Sequence, residues 1–258
     1  MCIAYLAIGA HPDWPLFIAA NRDEFHARPA TAAAPWPTHP HLLAGIDNIA
    51  GGTWLGVTRQ GRFALLTNYR DMAYDPQAAS RGALVADFLQ GKEKPSVYAE
   101  SVALQGDRYN GFNLIVGDLK QAFYIGNRHE GGQAMKLGPG RHVLSNHLLN
   151  TAWPKTQRLK ERLDNYPLEN IPITLTPIFD ILKDQTVAQD DALPSTGLTL
   201  ERERLLSSPF IISPEYGTRC STVVAIDAAG RGFFSEITYD RQGTAAERHD
   251  WPFNAVSG

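Results

Sequence analysis

The sequence predicts an α+β domain in which antiparallel hairpins pair into sheets and helices cover those sheets. Three observations carry that expectation. Short apolar runs recur in pairs around turn residues, a few segments show helical apolar spacing, and 22 Gly and 17 Pro supply many turns between short elements.

Taken in order, Ile3 to Ile8 and Leu16 to Ala20 are apolar runs split by HPDWP, a turn punctuated by prolines and Asp, so they form a hairpin with Cys2 at its start. NRDE (21–24) follows its second strand. TWLGVT (53–58) and RFALLTNY (62–69) flank the turn RQG as a second hairpin whose last strand ends at Asn68. RGALVADFLQG (81–91) has helical spacing and a Gly stop, and SVYAESVAL (96–104) follows as another helix. The strand period resumes in 112–118, 122–127 and 141–146. WPKTQRLKERLDNY and TPIFDILKD (176–184) are helices with Pro in the first turn. Residues 186–215 form a polar surface connection with one short helical piece, LERERLL, and STVVAID with GFFSEITY make a final hairpin. No repeat or linker divides residues 1–258, so one domain is expected.

A hydrophobic content of 43% with 20% charged residues is ordinary for a folded protein. The net charge of −3, with Lys and Arg scattered, gives no basic stripe for a phosphate backbone, which argues against nucleic acid as a partner. No apolar run approaches the roughly 20 residues that cross a bilayer, and no secretory leader is visible, so a soluble, cytoplasmic protein acting on a small molecule is expected. Two cysteines, outside any zinc spacing, support neither a disulfide framework nor a structural metal.

Cys2 is the residue with the sharpest chemistry. Removal of the initiator Met is favoured before a small residue, and the chain would then begin with a thiol and an α-amine on one residue, a nucleophile with its own base. The amine titrates near 8 and the thiol near 8.5, so both exchange protons around neutrality. The plainer reading, a small apolar residue on a buried strand, stands beside it. A hairpin return brings NRDE back beside Cys2, where a carboxylate can hold the ammonium and a guanidinium can favour thiolate. A solvated turn with a surface ion pair is the alternative for Arg22, Asp23 and Glu24. For Asn68 and Asn146 the alternative is the ordinary use of Asn at strand ends. The glycines of GGTWLG (51–56) are followed by no phosphate-loop lysine and permit close packing or ligand approach near Trp54.

The ordered segments MCI, LFIAANRDEFxARP, GGTWLGV, LTNYR, RGxLVxDFL, YNGFNLIVGDL, LSNxLLxTxWPK and YGTRxST together resemble the NRDE protein family, the transport and Golgi organisation protein 2 homologues. That resemblance implies a four-layer αββα sandwich of N-terminal nucleophile hydrolase type, with two antiparallel sheets between helical layers. It implies Cys2 as nucleophile, Arg22 and Asp23 beside it, Asn68 and Asn146 on the oxyanion side, and Arg219 as a late active-site arginine. Asn21, Glu24, Trp54 and His147 are the residues expected to touch substrate. The implied reaction is hydrolysis of a non-peptide amide or a thioester through a Cys2 acyl-enzyme, with no metal or cofactor required. The same resemblance leaves open a non-enzymatic carrier of haem, or of lipid and acyl-coenzyme A.

Overall fold

A computed structural model of the protein describes residues 2–171 and 174–255; the expected removal of Met1 concerns a residue outside that range. Along the chain run β1 (Cys2–Ile8), β2 (Leu16–Phe25), β3 (Ala30–Trp36), β4 (His39–Asp47), β5 (Leu55–Thr58) and β6 (Phe63–Asn68). Helices α1 (Arg81–Gln90) and α2 (Pro95–Leu104) precede β7 (Phe112–Gly117), β8 (Ala122–Gly126), β9 (Met135–Leu137) and β10 (Gly140–Leu144). Then come α3 (Pro154–Asp164), α4 (Thr176–Leu182), α5 (Leu200–Leu205), β11 (Tyr216–Ile226), β12 (Arg231–Tyr239) and β13 (Ala245–Asn254).

The strands form two antiparallel sheets, one ordered β10-β1-β2-β11-β12-β13 and the other β3-β4-β5-β6-β7-β8-β9. Side chains alternate across a strand, so each strand feeds two cores. Leu6, Ile18, Val224 and Phe234 meet Leu65, Ile115 and Tyr124 between the sheets. Tyr5, Phe17 and Val223 turn outward onto Leu159, Leu163 and Ile178 of α3 and α4, while Leu66 and Leu114 turn outward onto Leu84, Phe88 and Val102 of α1 and α2. Helix, sheet, sheet, helix: the four-layer αββα sandwich is present. No helix among the described residues is long and apolar enough to cross a membrane.

The β1–β2 hairpin turns at Gly9, whose φ of +56° is a left-handed conformation that favours glycine. Three elements differ from the sequence expectation. NRDE is not a turn: β2 continues through Phe25, so Arg22 and Asp23 point to opposite faces. The stretch 26–52 holds β3 and β4, hidden from periodicity by Pro29, Pro35, Pro37 and Pro40. Proline is tolerated because β3 is an edge strand with a register shift at Pro35. The last hairpin gains β13, an exposed edge strand that carries Pro252.

Candidate active site

The strand registers assemble the site. Cys2 pairs with Arg22 and Arg22 pairs with Cys220, so these three form one row across the first sheet. By alternation from Ala4, Ala20 and Val224 the row faces the second sheet. The polar end of the inter-sheet space opens there as a cavity of about 310 Å³. Cys2, Arg22, Asp23, Glu24, Trp54 and Asn68 line it, as do Arg28, Asp47, Tyr74, Arg81 and Asn110, which sequence reasoning missed.

Arg22 is 5% exposed, with its guanidinium 4.4 Å from the centroid of the Trp54 ring, 3.6 Å from Asp47 and 4.0 Å from Glu24. Arg28 Nε donates to Asp47 at 2.6 Å, and this bond, with the Ile49 and Ala50 backbone N–H groups, keeps the Asp47 carboxyl below the usual range despite burial. The wall opposite is the start of α1, brought close by glycine: a Cβ on Gly52 would lie 2.3 Å from the Gly82 carbonyl carbon. Close packing is thus the use of that glycine pair beside Trp54.

Burial pushes the Cys2 thiol up; the Arg22 guanidinium and the Asp23 backbone N–H, which donates to the sulfur, pull the other way and do not win. The guanidinium therefore does not by itself make a thiolate, contrary to the simplest expectation from charge. Asp23 lies beneath, on the outer face of the sheet, where Thr218 Oγ1 donates to Oδ1 at 2.7 Å. Burial raises its carboxyl, opposed by the Lys155 ammonium and the Thr218 hydroxyl among other groups.

Asn146 is fully buried beside the cavity rather than in its lining; its Nδ2 donates to the Asn68 carbonyl at 2.9 Å. Its turn is braced from the second sheet. Thr67 Oγ1 donates to the Ser145 carbonyl at 2.5 Å, Asn113 Nδ2 donates to the His147 carbonyl at 2.9 Å and to Thr67 Oγ1 at 3.1 Å, and Tyr124 donates to Asn113 at 2.7 Å.

Three expected residues lie elsewhere. Asn21 faces outward, donating to the Leu182 and Pro209 carbonyls at 2.8 and 2.9 Å and accepting from Ser221, so it pins the helical layer to the sheet. Arg219 is the extra residue of a bulge between Thr218 and Cys220, and its Nη1 donates to the Phe25, His26 and Arg28 carbonyls. It braces the turn after β2. His147 is stacked against Tyr69 and Trp153, with Nδ1 3.0 Å from the Thr151 hydroxyl, and burial lowers its pKa.

A second cavity of about 290 Å³ adjoins the first through Glu24, Asn68, Tyr74, Arg81 and Asn110. Its other walls are more apolar, with Phe25, Tyr69, Leu205, Leu206 and Tyr216 among them. No group of three or more metal-ligating side chains gathers among the described residues.

Residues 1–241 match the Transport and Golgi organisation 2 family. The Transport and Golgi organization protein 2 homolog of Bos taurus is 36% identical over 257 residues, covering 92% of each chain. The human homolog of the same name is 34% identical over 255 residues, again covering 92% of each. Among solved structures, a mutant conjugated bile acid hydrolase from Clostridium perfringens is similar with a TM-score of 0.49 at 11% identity, over 99% of this chain and 98% of that one.

Proposed function

The chain belongs to the Transport and Golgi organisation 2 family, and from that footing we propose that it is a cysteine N-terminal nucleophile hydrolase that cleaves a non-peptide amide or a thioester. The observation that carries this reading is the placement of Cys2 on a polar cavity with Arg22, Asp23 and Asn68 at the open end of the sandwich.

With Met1 removed, the α-amine of Cys2 takes the thiol proton as the sulfur attacks the substrate carbonyl carbon, and the carbonyl electrons move onto oxygen. The raised thiol suits this step, because the proton leaves during attack rather than beforehand. Asn68 borders the cavity and Asn146 lies against its carbonyl; their amide N–H groups stabilise the oxyanion, a contribution of roughly 3 to 4 kcal/mol for a donor of this kind. The oxyanion collapses, the C–N or C–S bond breaks, and the leaving group takes the proton from the ammonium. Water then attacks the Cys2 thioester with the amine as base, releasing the acid and restoring the thiol. Asp23 holds the ammonium from below. The more apolar second cavity, which adjoins the cavity that Cys2 lines, suits the acyl group.

Intact-mass analysis tests the proposal. The expected result is a mass that begins at Cys2, with a covalent adduct from an electrophilic acyl probe that Cys2→Ala abolishes. Retained Met1 and no adduct, with a haem Soret shift on titration, would overturn it in favour of a carrier.

A further inference from the structure

Lys155 is charged, 2% exposed, and has no part in the reaction just described. It is the second residue of α3, directly after Pro154. Both features act against an ammonium: burial strips its hydration, and the positive end of the helix dipole repels it. A lysine kept there answers some other requirement.

Its surroundings indicate which. Nζ lies 3.4 Å from Asn146 Oδ1. The charges facing it are Asp23 from β2, Cys2 from β1, Arg70 from the segment after β6 and Glu203 from α5. Arg70 and Glu203 are already bonded to each other at 2.6 Å. Ser145 Oγ is within reach of two acceptors, the Cys2 carbonyl at 2.8 Å and Asn146 Oδ1 at 3.1 Å, but a hydroxyl carries one proton. When that proton holds the Cys2 backbone, Lys155 is the donor left to the Asn146 oxygen.

We propose that Lys155 is a positioning residue of the Cys2 site: its ammonium fixes the Asn146 amide with oxygen inward and nitrogen toward Asn68, the orientation in which that amide can donate to an oxyanion. The reversed amide would set its N–H₂ against the ammonium and its oxygen against the Asn68 carbonyl, two repulsive contacts in place of two attractive ones. The inference rests on the hydrolase reading. Burial lowers the Lys155 pKa to about 8, so the charged hold is present at neutral pH and weakens as pH rises through that value, when the neutral amine keeps N–H donors but gains a lone pair that no longer opposes the reversed amide.

Two reactions of the same sulfur separate positioning from general damage. Alkylation of Cys2 by iodoacetamide passes through no oxyanion, whereas acylation of the same sulfur by p-nitrophenyl acetate does. The full chain with Met1 removed is compared with Lys155→Met, Lys155→Arg and Asn146→Ala, reading the ratio of acylation to alkylation rate. We expect Lys155→Met to lower that ratio about tenfold, part of the loss of a whole oxyanion donor, and to add nothing when combined with Asn146→Ala. The wild-type ratio should fall as pH passes about 8, and Lys155→Arg, permanently charged, should keep it high without that fall.

An unchanged ratio in Lys155→Met overturns the proposal. If that variant does not fold, Lys155→Arg decides, since a wild-type inflection that persists in it overturns the proposal too. A wild-type Cys2 that is alkylated but never acylated sinks the hydrolase reading and this role together. A wild-type Cys2 that undergoes both reactions, with a ratio indifferent to Lys155, sinks this role alone.

Discussion

The space between the two sheets has two ends built from the same strands, and they do opposite things. Toward one end the inward positions are Leu6, Ile18, Leu65, Ile115 and Phe234, fully or almost fully buried. Toward the other the same inward positions become Cys2, Arg22 and Cys220, and the sheets part around a polar cavity. Between them lies the bonded set Thr67, Asn113 and Tyr124, reaching across to the turn that carries Asn146. The difference shows how a sandwich hosts chemistry. Alternation supplies an inward row at every second residue, and two or three changes of residue type at the strand ends convert core into site without altering the backbone.

The boundary is where that division breaks most easily. Asn113 is fully buried and bonded to Thr67, His147 and Tyr124, so Asn113→Ala should lose about 4 kcal/mol by denaturant unfolding, through stranded donors and acceptors as well as lost volume. Leu65→Ala, in the apolar end, should cost about 3 kcal/mol by the same measurement while leaving iodoacetamide labelling of Cys2 unchanged once refolded. A change in labelling would show that the two ends are not independent.

Arg22→Met probes the polar end. Removing the guanidinium takes away a cation that favours thiolate, so the thiol pKa should rise further and alkylation at neutral pH should fall about tenfold, recovering at higher pH.

The smallest effect is expected from a control in the segment after α4, outside the space between the sheets. Asp184 accepts from Arg158 at 2.7 Å, from Arg162 at 3.2 Å and from the Thr186 backbone N–H at 2.9 Å. These bonds outweigh its burial and depress its pKa to about 2. A depressed carboxyl stabilises the fold above its unfolded pKa, and that contribution is lost as pH falls through the folded value. Asp184→Asn should therefore cost about 1 kcal/mol at neutral pH, the arginines being partly in water, and progressively less as pH falls toward and through about 2.

Much of this was legible in the sequence, and for definite reasons. A hairpin returns its second strand beside its first, so residues 21–24 could be placed near Cys2 from the sequence; the exact pairing of Cys2 with Arg22 across the loop 9–15 could not. The hairpins around 53–69 and 221–239 were readable on the same grounds. What could not be read is tertiary. Asp47, Arg81 and Asn110 reach the cavity only because two sheets and α1 pack, and the one available signal was the glycine spacing that lets Gly52 meet Gly82. Lys155 stands in KTQRLKER, where a lysine looks like any solvated helical charge. The direction of Asp23 was lost because NRDE, dense in polar residues, has the composition of a turn while behaving as strand.

The row that joins Cys2 to Cys220 runs through Arg22, which puts two strand spacings, roughly 9 to 10 Å, between the cysteine backbones. An intramolecular disulfide needs less than about 7 Å. Oxidation therefore cannot pair the Cys2 thiol with Cys220, the other cysteine of the sequence. A disulfide cap on Cys2 must come from an external thiol small enough for the cavity, and a sulfur left uncapped can climb past the reversible sulfenic acid toward acids that no simple reductant restores.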